Sequence, residues 1–167
     1  LYVIIKMFSP ISGAHFNPVV SLIFFLRKEL SLLDLIKYIF VQLVGGIAAV
    51  FIVHYIFEIS IFQVSTNSRG ELPLLVSEIV ATCGLILTIL FIRKNDENSV
   101  AMGAALFISA GYWFTSSTSF ANPAVTIARV YTDTFTGIAP VSTPYFITGQ
   151  ILGSLIGYKL FQLYEKK

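Results

Sequence analysis

Two asparagines, Asn17 and Asn122, each stand directly before a proline inside stretches of membrane-like apolarity, "SGAHFNPVVSL" and "SFANPAVTIAR". A carboxamide does its chemistry by hydrogen bonding: it offers two N–H donors and a carbonyl acceptor, and it neither ionises nor attacks. Nothing else in the chain assembles a reaction centre. No nucleophile stands with a base, no phosphate-binding glycine loop occurs, and His15 and His54 lack the further ligands that a zinc site needs. Cys83 is the single cysteine, so no intrachain disulfide or redox pair can form, and in mid-span it reads as a small buried side chain. Neither enzyme chemistry nor a cofactor or metal is expected. What the residues offer is donors, acceptors and dipoles.

The Asn-Pro pair has a local meaning. Proline loses nothing at the first helical position, where its missing N–H would have had no partner, and asparagine just before it is a favoured N-cap. Each pair therefore predicts a helix start. The stretches 17–26 and 122–131 are ten residues each, about 15 Å of helix, so two of them meeting tip to tip cover a hydrocarbon core of roughly 30 Å as one broken span. Two helix amino ends then face each other near the midplane, each carrying about half a positive charge, which repels cations. Irregular backbone at that depth is tolerated where it is covered by protein or lines a water-filled cavity, so the small and polar approaches "SPISGAHF" and "TSSTSFA" are expected to line one.

Positioning these segments falls to the rest of the chain. Of its 167 residues 56% are hydrophobic and 12% charged, and the net charge of +2 is too small to suggest nucleic acid. Ordinary soluble domains hold roughly 25% charged residues; this is the composition of a membrane protein. Residues 35–57, 72–92 and 144–164 are expected to cross, 100–114 is shorter, and "LYVIIKMFSPI" reads as the tail of a further span in a chain shortened at its amino end. Basic residues gather in three places: Arg27, Lys28 and Lys37, then Arg93 and Lys94, then Lys159, Lys166 and Lys167. The connection "EISIFQVSTNSRGE" holds Arg69 alone against two glutamates. By the bias of Lys and Arg toward the cytoplasm, the three clusters and the carboxyl terminus lie inside and that connection lies outside. The first Asn-Pro segment must then enter and return from inside, and the second from outside. A Gln-x-x-Gly follows each asparagine, with Gln42 25 residues after Asn17 and Gln150 28 after Asn122. This is an inverted internal repeat.

Five stretches in order, "SGAHFNPVVSL", "VQLVGGIAAVF", "SEIVATCGLILT", "STSFANPAVTIA" and "GQILGSLIGY", resemble the aquaporin or major intrinsic protein family over essentially the whole chain. The mark of that family is two Asn-Pro-Ala boxes on opposed half helices. The resemblance implies an all-α membrane protein, an aquaporin-like bundle of inverted repeats with two re-entrant half helices. It further implies one channel domain over 1–167 that lacks the first span and most of the second. A homotetramer in the lipid bilayer, in a bacterial plasma membrane, passing water and small neutral solutes while excluding protons and ions, is the expectation that follows. The boxes here are Asn17, Pro18, Val19 and Asn122, Pro123, Ala124, so the first departs from the pattern at Val19. Water-selective members usually place an arginine directly after the second box, where this chain has Val125. Carrying over the family's other filter positions without gaps gives Ala110, or Gly111 with a shift of one, and Ser119. Ala, Ser and Val imply a wide, weakly polar constriction that passes glycerol or urea. The stretch "YWFTSSTSFANPAVTIARVYTDTFTGIAP" is similar to bacterial members associated with arsenic resistance, which adds arsenous acid. A water-selective channel is the alternative, and an ion-coupled secondary transporter, also built from inverted repeats and broken helices, is the alternative of another class.

The resemblance also implies supporting roles. Glu78, the one carboxylate well inside a span, corresponds to a residue that accepts from loop N–H groups, and His15 to one that holds its loop. Gln42 and Gln150 either do similar work or face a subunit contact. Arg129, one turn beyond Val125 on the same helical face, either anchors the outer loop through Asp133 or supplies part of the missing filter charge. Gly45, Gly46, Gly84, Gly103, Gly153 and Gly157 read as small residues that let helices approach.

Overall fold

In an apolar solvent a chain must close its backbone hydrogen bonds on itself, so helices follow from the composition before packing is considered. The computed structural model describes residues 1–70 and 72–166; Glu71 of the expected outer connection and Lys167 of the terminal basic cluster lie outside the described residues. Among the described residues the regular elements are α1 (Tyr2–Ser12), α2 (Pro18–Leu26), α3 (Leu32–Ile56), α4 (Leu72–Asn95), α5 (Val100–Phe114), α6 (Pro123–Ala128), α7 (Thr143–Glu165) and short 3-10 turns.

Local chemistry accounts for most of the boundaries. Asn17 and Asn122 cap α2 and α6 with prolines in the first turn, as the sequence predicts. α3 begins on Ser31, whose Oγ accepts from the Asp34 N–H at 3.1 Å and donates to the Asp34 carboxylate at 2.7 Å. α1 stops at Gly13, whose φ of 74° suits the left-handed helix stop. The second half helix reaches its expected length only by tightening: α6 ends at Ala128 and a 3-10 turn, Arg129–Tyr131, completes it. Among the described residues two helices, α3 and α4, are long and apolar enough to cross a membrane. α7, expected as a third, has 23 residues but is less apolar, because its buried face carries Gly149, Gln150, Gly153, Ser154 and Gly157.

The half helices lie between the long ones. α2 packs on α3 and α7, α6 packs on α3 and α7, and the two touch each other, so each half helix contacts the long helix of its own repeat and that of the other. α4 and α7 form the closest pair, with α5 alongside α4 and α1 alongside α5. α3 buries only Leu35 and His54 along its length and turns residues such as Phe40 and Val41 outward. Hydrophobic burial gives little drive between helices in lipid, where close van der Waals packing and polar contacts take over. The α4–α7 seam shows this: a Cβ at Gly149, Gly153 or Gly157 would lie 2.6, 2.4 or 2.8 Å from the carbonyl oxygens of Leu75, Ile79 and Cys83. Gly45 has nothing within 4 Å and plays no part in such a seam among the described residues.

The two ends of the bundle differ in chemistry. At one end Arg27 and Arg93 both pair with Glu29, Arg93 also reaches Glu97 at 3.4 Å, and Arg27 lies 3.9 Å from Glu165, which brings the three basic clusters of the sequence together. At the other end residues 57–70 lie against the segment after α6. Ser65 N donates to Val130 O at 2.8 Å, and Asp133 accepts from the Thr66 N–H and hydroxyl at 2.7 and 2.9 Å. His54 joins both, with its ring nitrogens 2.9 Å from Ile61 O and 2.9 Å from Thr132 Oγ1.

Gly153→Ala is expected to lower the thermal unfolding midpoint in detergent, an overpacking cost of about 1–3 kcal/mol, while Gly45→Ala leaves it unchanged or raises it; equal midpoints would contradict the close approach. At the charged end, partial burial pushes Glu29 up, but hydrogen bonds from Arg27 and Arg93 outweigh it and hold the carboxyl below its ordinary value. The stability from such a group is complete above its unfolded pKa and is lost as the pH falls through its folded pKa. Acid titration of the unfolding midpoint should therefore show a component that Glu29→Gln lacks, of at most about 1 kcal/mol for a pair this near to solvent.

Candidate functional site

The site is built on a reciprocal clasp. Asn17 Oδ1 accepts from the Val19 N–H at 3.1 Å and caps α2, while its Nδ2 donates to Ala121 O at 2.7 Å. Asn122 Oδ1 accepts from the Ala124 and Val125 N–H groups at 2.9 and 3.3 Å and caps α6, while its Nδ2 donates to Phe16 O at 2.8 Å. Each asparagine thus holds its own helix with one end of the amide and the residue before the other asparagine with the opposite end. Their backbones agree closely, with φ and ψ of −156° and 121° at Asn17 and −157° and 110° at Asn122.

The approach loops repeat the same pattern at equal offsets. Phe16 and Ala121 directly before the asparagines have φ of 48° and 46°; Ala14 and Ser119 have 49° and 47°; Gly13 and Thr118 have 74° and 60°. Left-handed non-glycine residues cost of order 1–3 kcal/mol each and persist where their surroundings overdetermine them. For the second loop that role falls to Glu78, which is 0% exposed. Its carboxylate accepts from Ser117 Oγ at 2.5 Å, Phe120 N at 3.0 Å, Ala121 N at 2.8 Å and Gln150 Nε2 at 2.7 Å. The first loop has no carboxylate bonded to it among the described residues. The Tyr38 hydroxyl donates to Ser12 O, and His15 lies with Nδ1 3.1 Å from Ser21 Oγ and its ring stacked on Tyr38 at 4.9 Å.

One pair of residues escaped the sequence reading. Ser21 and Thr126 both stand four residues after their asparagines, and each receives a glutamine: Gln42 Nε2 donates to Ser21 Oγ at 3.1 Å and Gln150 Nε2 to Thr126 Oγ1 at 2.8 Å. Both hydroxyls are 0% exposed. The signal is present in the sequence, since the boxes read Asn-Pro-Val-Val-Ser and Asn-Pro-Ala-Val-Thr and a glutamine follows each. Aligning the repeats beyond proline would have paired them.

A single cavity of about 730 Å³ runs past both asparagines, from Lys6, Arg93 and Glu97 at one end to Tyr112, Val125 and Arg129 at the other. His15, Ser119 and Phe120 also line it. The third box residues do not: Val19 and Ala124 are 2% and 4% exposed and sit in packed protein, so the extra bulk of Val19 is not in the cavity wall. Ala110 does not face the cavity either. It is exposed on the far side of α5: Ala104, Ile108 and Tyr112 form the stripe that lines the cavity, and a residue two beyond Ile108 falls on nearly the opposite side. Gly111 backs Ser119 instead, where a Cβ would meet Ser119 Oγ at 2.5 Å. The Arg129 to Asp133 contact is also not made. Asp133 is taken by Thr66, and the Arg129 guanidinium lies 4.1 Å over the Phe120 ring.

Comparison with known proteins bears on this geometry. A family model described as major intrinsic protein matches residues 1–99. The chain is 40% identical over 162 residues to aquaglyceroporin AqpS of Rhizobium meliloti (strain 1021), covering 97% of this chain and 70% of that protein. It is 30% identical over 166 residues to a probable aquaporin-5 of Gibberella zeae, covering 93% of this chain and 29% of that protein. To a probable TIP-type aquaporin of Medicago truncatula it is 37% identical over 114 residues, 67% of this chain and 45% of that protein. The chain therefore spans less than half the length of the latter two relatives.

Replacing Glu78 tests the support of the second loop. Glu78→Ala leaves four donors without an acceptor, each costing about 1–3 kcal/mol, and is expected to abolish folded protein on size exclusion in detergent. Glu78→Gln, which keeps one oxygen, should fold with a lowered midpoint; a midpoint equal to wild type for Glu78→Ala would show that the carboxylate holds nothing.

Proposed function

The chain belongs to the major intrinsic protein family, whose members are channels for water and small solutes such as glycerol, and from that premise we propose that its cavity is a passive path for uncharged solutes larger than water. The observation that carries the proposal is the one cavity that passes both asparagine tips. Each carboxamide spends one N–H on the clasp. Its second N–H is free to donate to the oxygen of a solute in mid-passage. The amino ends of the two half helices aim their positive ends at the same place, which disfavours cations and protons. Beyond that point the wall is formed by Ser119, Val125 and Tyr112, and Ala110 takes no part in it. Ser119 Oγ is buried against Gly111 without a hydrogen-bond partner among the described residues. Valine at 125 adds neither charge nor length, which suits glycerol, urea or arsenous acid. In this reading Asn17, Pro18, Val19, Asn122, Pro123 and Ala124 form the paired boxes, with His15 and Glu78 supporting the loops.

The transporter alternative finds little support. Both oxygens of Glu78 are occupied by fixed donors, which leaves no free carboxylate in the middle of a span for ion coupling among the described residues. We further read residues 1–167 as part of one channel unit without enzymatic activity, assembled as a homotetramer in a bacterial plasma membrane. The gathering of basic residues at the Arg27 and Arg93 end supports a cytoplasmic carboxyl terminus.

Flux into proteoliposomes is the test. Glycerol and urea should equilibrate down their own gradients, with no accumulation driven by proton or sodium gradients. Val125→Arg should cut glycerol and urea flux by about tenfold or more, a barrier change of roughly 1.4 kcal/mol, and leave water permeability within about twofold. Water transport without glycerol transport in the unmodified protein would overturn the solute class, and gradient-driven accumulation would overturn the channel.

A further inference from the structure

Three cations, Lys6, Arg93 and Arg129, lie on the cavity wall, and two are accounted for. Arg93 pairs with Glu29 and Glu97, and Lys6 donates to Asn98 O at 3.4 Å. Arg129 has no carboxylate within ion-pair distance among the described residues. Two carboxylates of the same half of the bundle are engaged elsewhere: Asp133 by Thr66, and Glu78 by its loop and Gln150. What holds Arg129 is an aromatic face. Its guanidinium lies 4.1 Å over Phe120, a ring 5% exposed and fixed against Phe146 at 4.9 Å, and the Tyr112 hydroxyl stands beside it. Its backbone is fixed as well, since Arg129 O accepts from Ile138 N at 3.2 Å. A guanidinium stacked through its flat face keeps its N–H edge for other partners. Arg69 lies over the same ring at 5.5 Å, but its Nη2 is spent on Phe135 O and it does not line the cavity.

Arg129 and Val125 are four residues apart, hence on one face of the half helix and about 6 Å apart along it. Both line the cavity. We propose that Arg129 is the charge-selecting residue of this mouth: its guanidinium donates to the oxygen atoms of an entering uncharged solute and repels cations, while Val125, one turn deeper, leaves the constriction wide. An arginine at 125 would charge and narrow the path at one level. Here charge selection and size selection are separated onto successive turns of the same segment, so the mouth selects against charge without losing width.

The inference rests on the channel reading and is tested beside it. In proteoliposomes of the unmodified protein, glycerol swelling and uptake of a tracer monovalent cation that carries no ionisable proton, such as rubidium, are measured together. Arg129→Gln keeps a planar amide over Phe120 and removes the charge; the ratio of cation uptake to glycerol flux is expected to rise about tenfold or more. Arg129→Lys restores exclusion. Ionic strength supplies a reading independent of any variant's folding: tracer uptake by the unmodified protein should rise between roughly 0.01 and 0.5 M salt as the mouth charge is screened. An unchanged ratio in an Arg129→Gln protein that still passes glycerol overturns the inference and leaves the channel standing. Should Arg129→Gln not assemble, salt-independent exclusion in the unmodified protein overturns it equally. An unmodified protein that passes no glycerol fails the channel reading instead.

Discussion

The structure depends on a constraint imposed by the solvent: backbone that is neither helix nor sheet must find its hydrogen bonds inside the protein when no water is at hand. The clasp between Asn17 and Asn122 meets that constraint at the point of greatest exposure to it, where two helices start and two loops end in the middle of the bundle. One side chain satisfies a helix amino end and a carbonyl of the opposite loop at once. Because the arrangement is reciprocal, neither tip can shift without releasing a donor or an acceptor on the other. The donor left over on each amide is there because geometry consumes only the first.

Around the clasp a second layer of polar contacts substitutes for the hydrophobic drive that lipid withholds. Glutamines on α3 and α7 reach the hydroxyls four residues into each half helix. The glycines of α7 bring it against the backbone of α4, from which Glu78 projects to the second loop. Helix contact and loop support are therefore one arrangement: a wider α4–α7 spacing would carry Gln150 away from Glu78. The repeats are unequal here. The second loop hangs on a carboxylate, and the first on a tyrosine hydroxyl, a serine and a stacked histidine.

At the mouth beyond Val125 the same economy governs charge. Phe120 closes the packed cluster with Ile138 and Phe146 on one side and carries Arg129 on the other, so a core residue positions a cavity residue. The loop contacts of Ser65, Thr66 and His54 hold the segment after α6 in place and occupy Asp133, which keeps the nearest carboxylate in sequence from neutralising the arginine. The opposite end of the bundle solves its charge problem differently, pairing its arginines with Glu29, Glu97 and Glu165.

By itself the sequence determined what is local. Asn-Pro specified two helix starts, the apolar lengths specified the spans within a few residues, and the spacing of basic residues specified which segments share an end, because capping, helix rise and charge act over a turn or a loop. Tertiary structure decided what depends on rotation and on a partner distant in the chain. It set Tyr112 in the cavity wall and left Ala110 out of it, which counting back from Val125 could not foresee because the count carries no information about the azimuth of α5. It gave Asp133 to Thr66 and Arg129 to Phe120, a choice made by the folding of residues 57–70 onto the other loop. It also supplied the carbonyls of Phe16 and Ala121 as the second partners of the asparagines, atoms that every residue possesses and that no residue type announces.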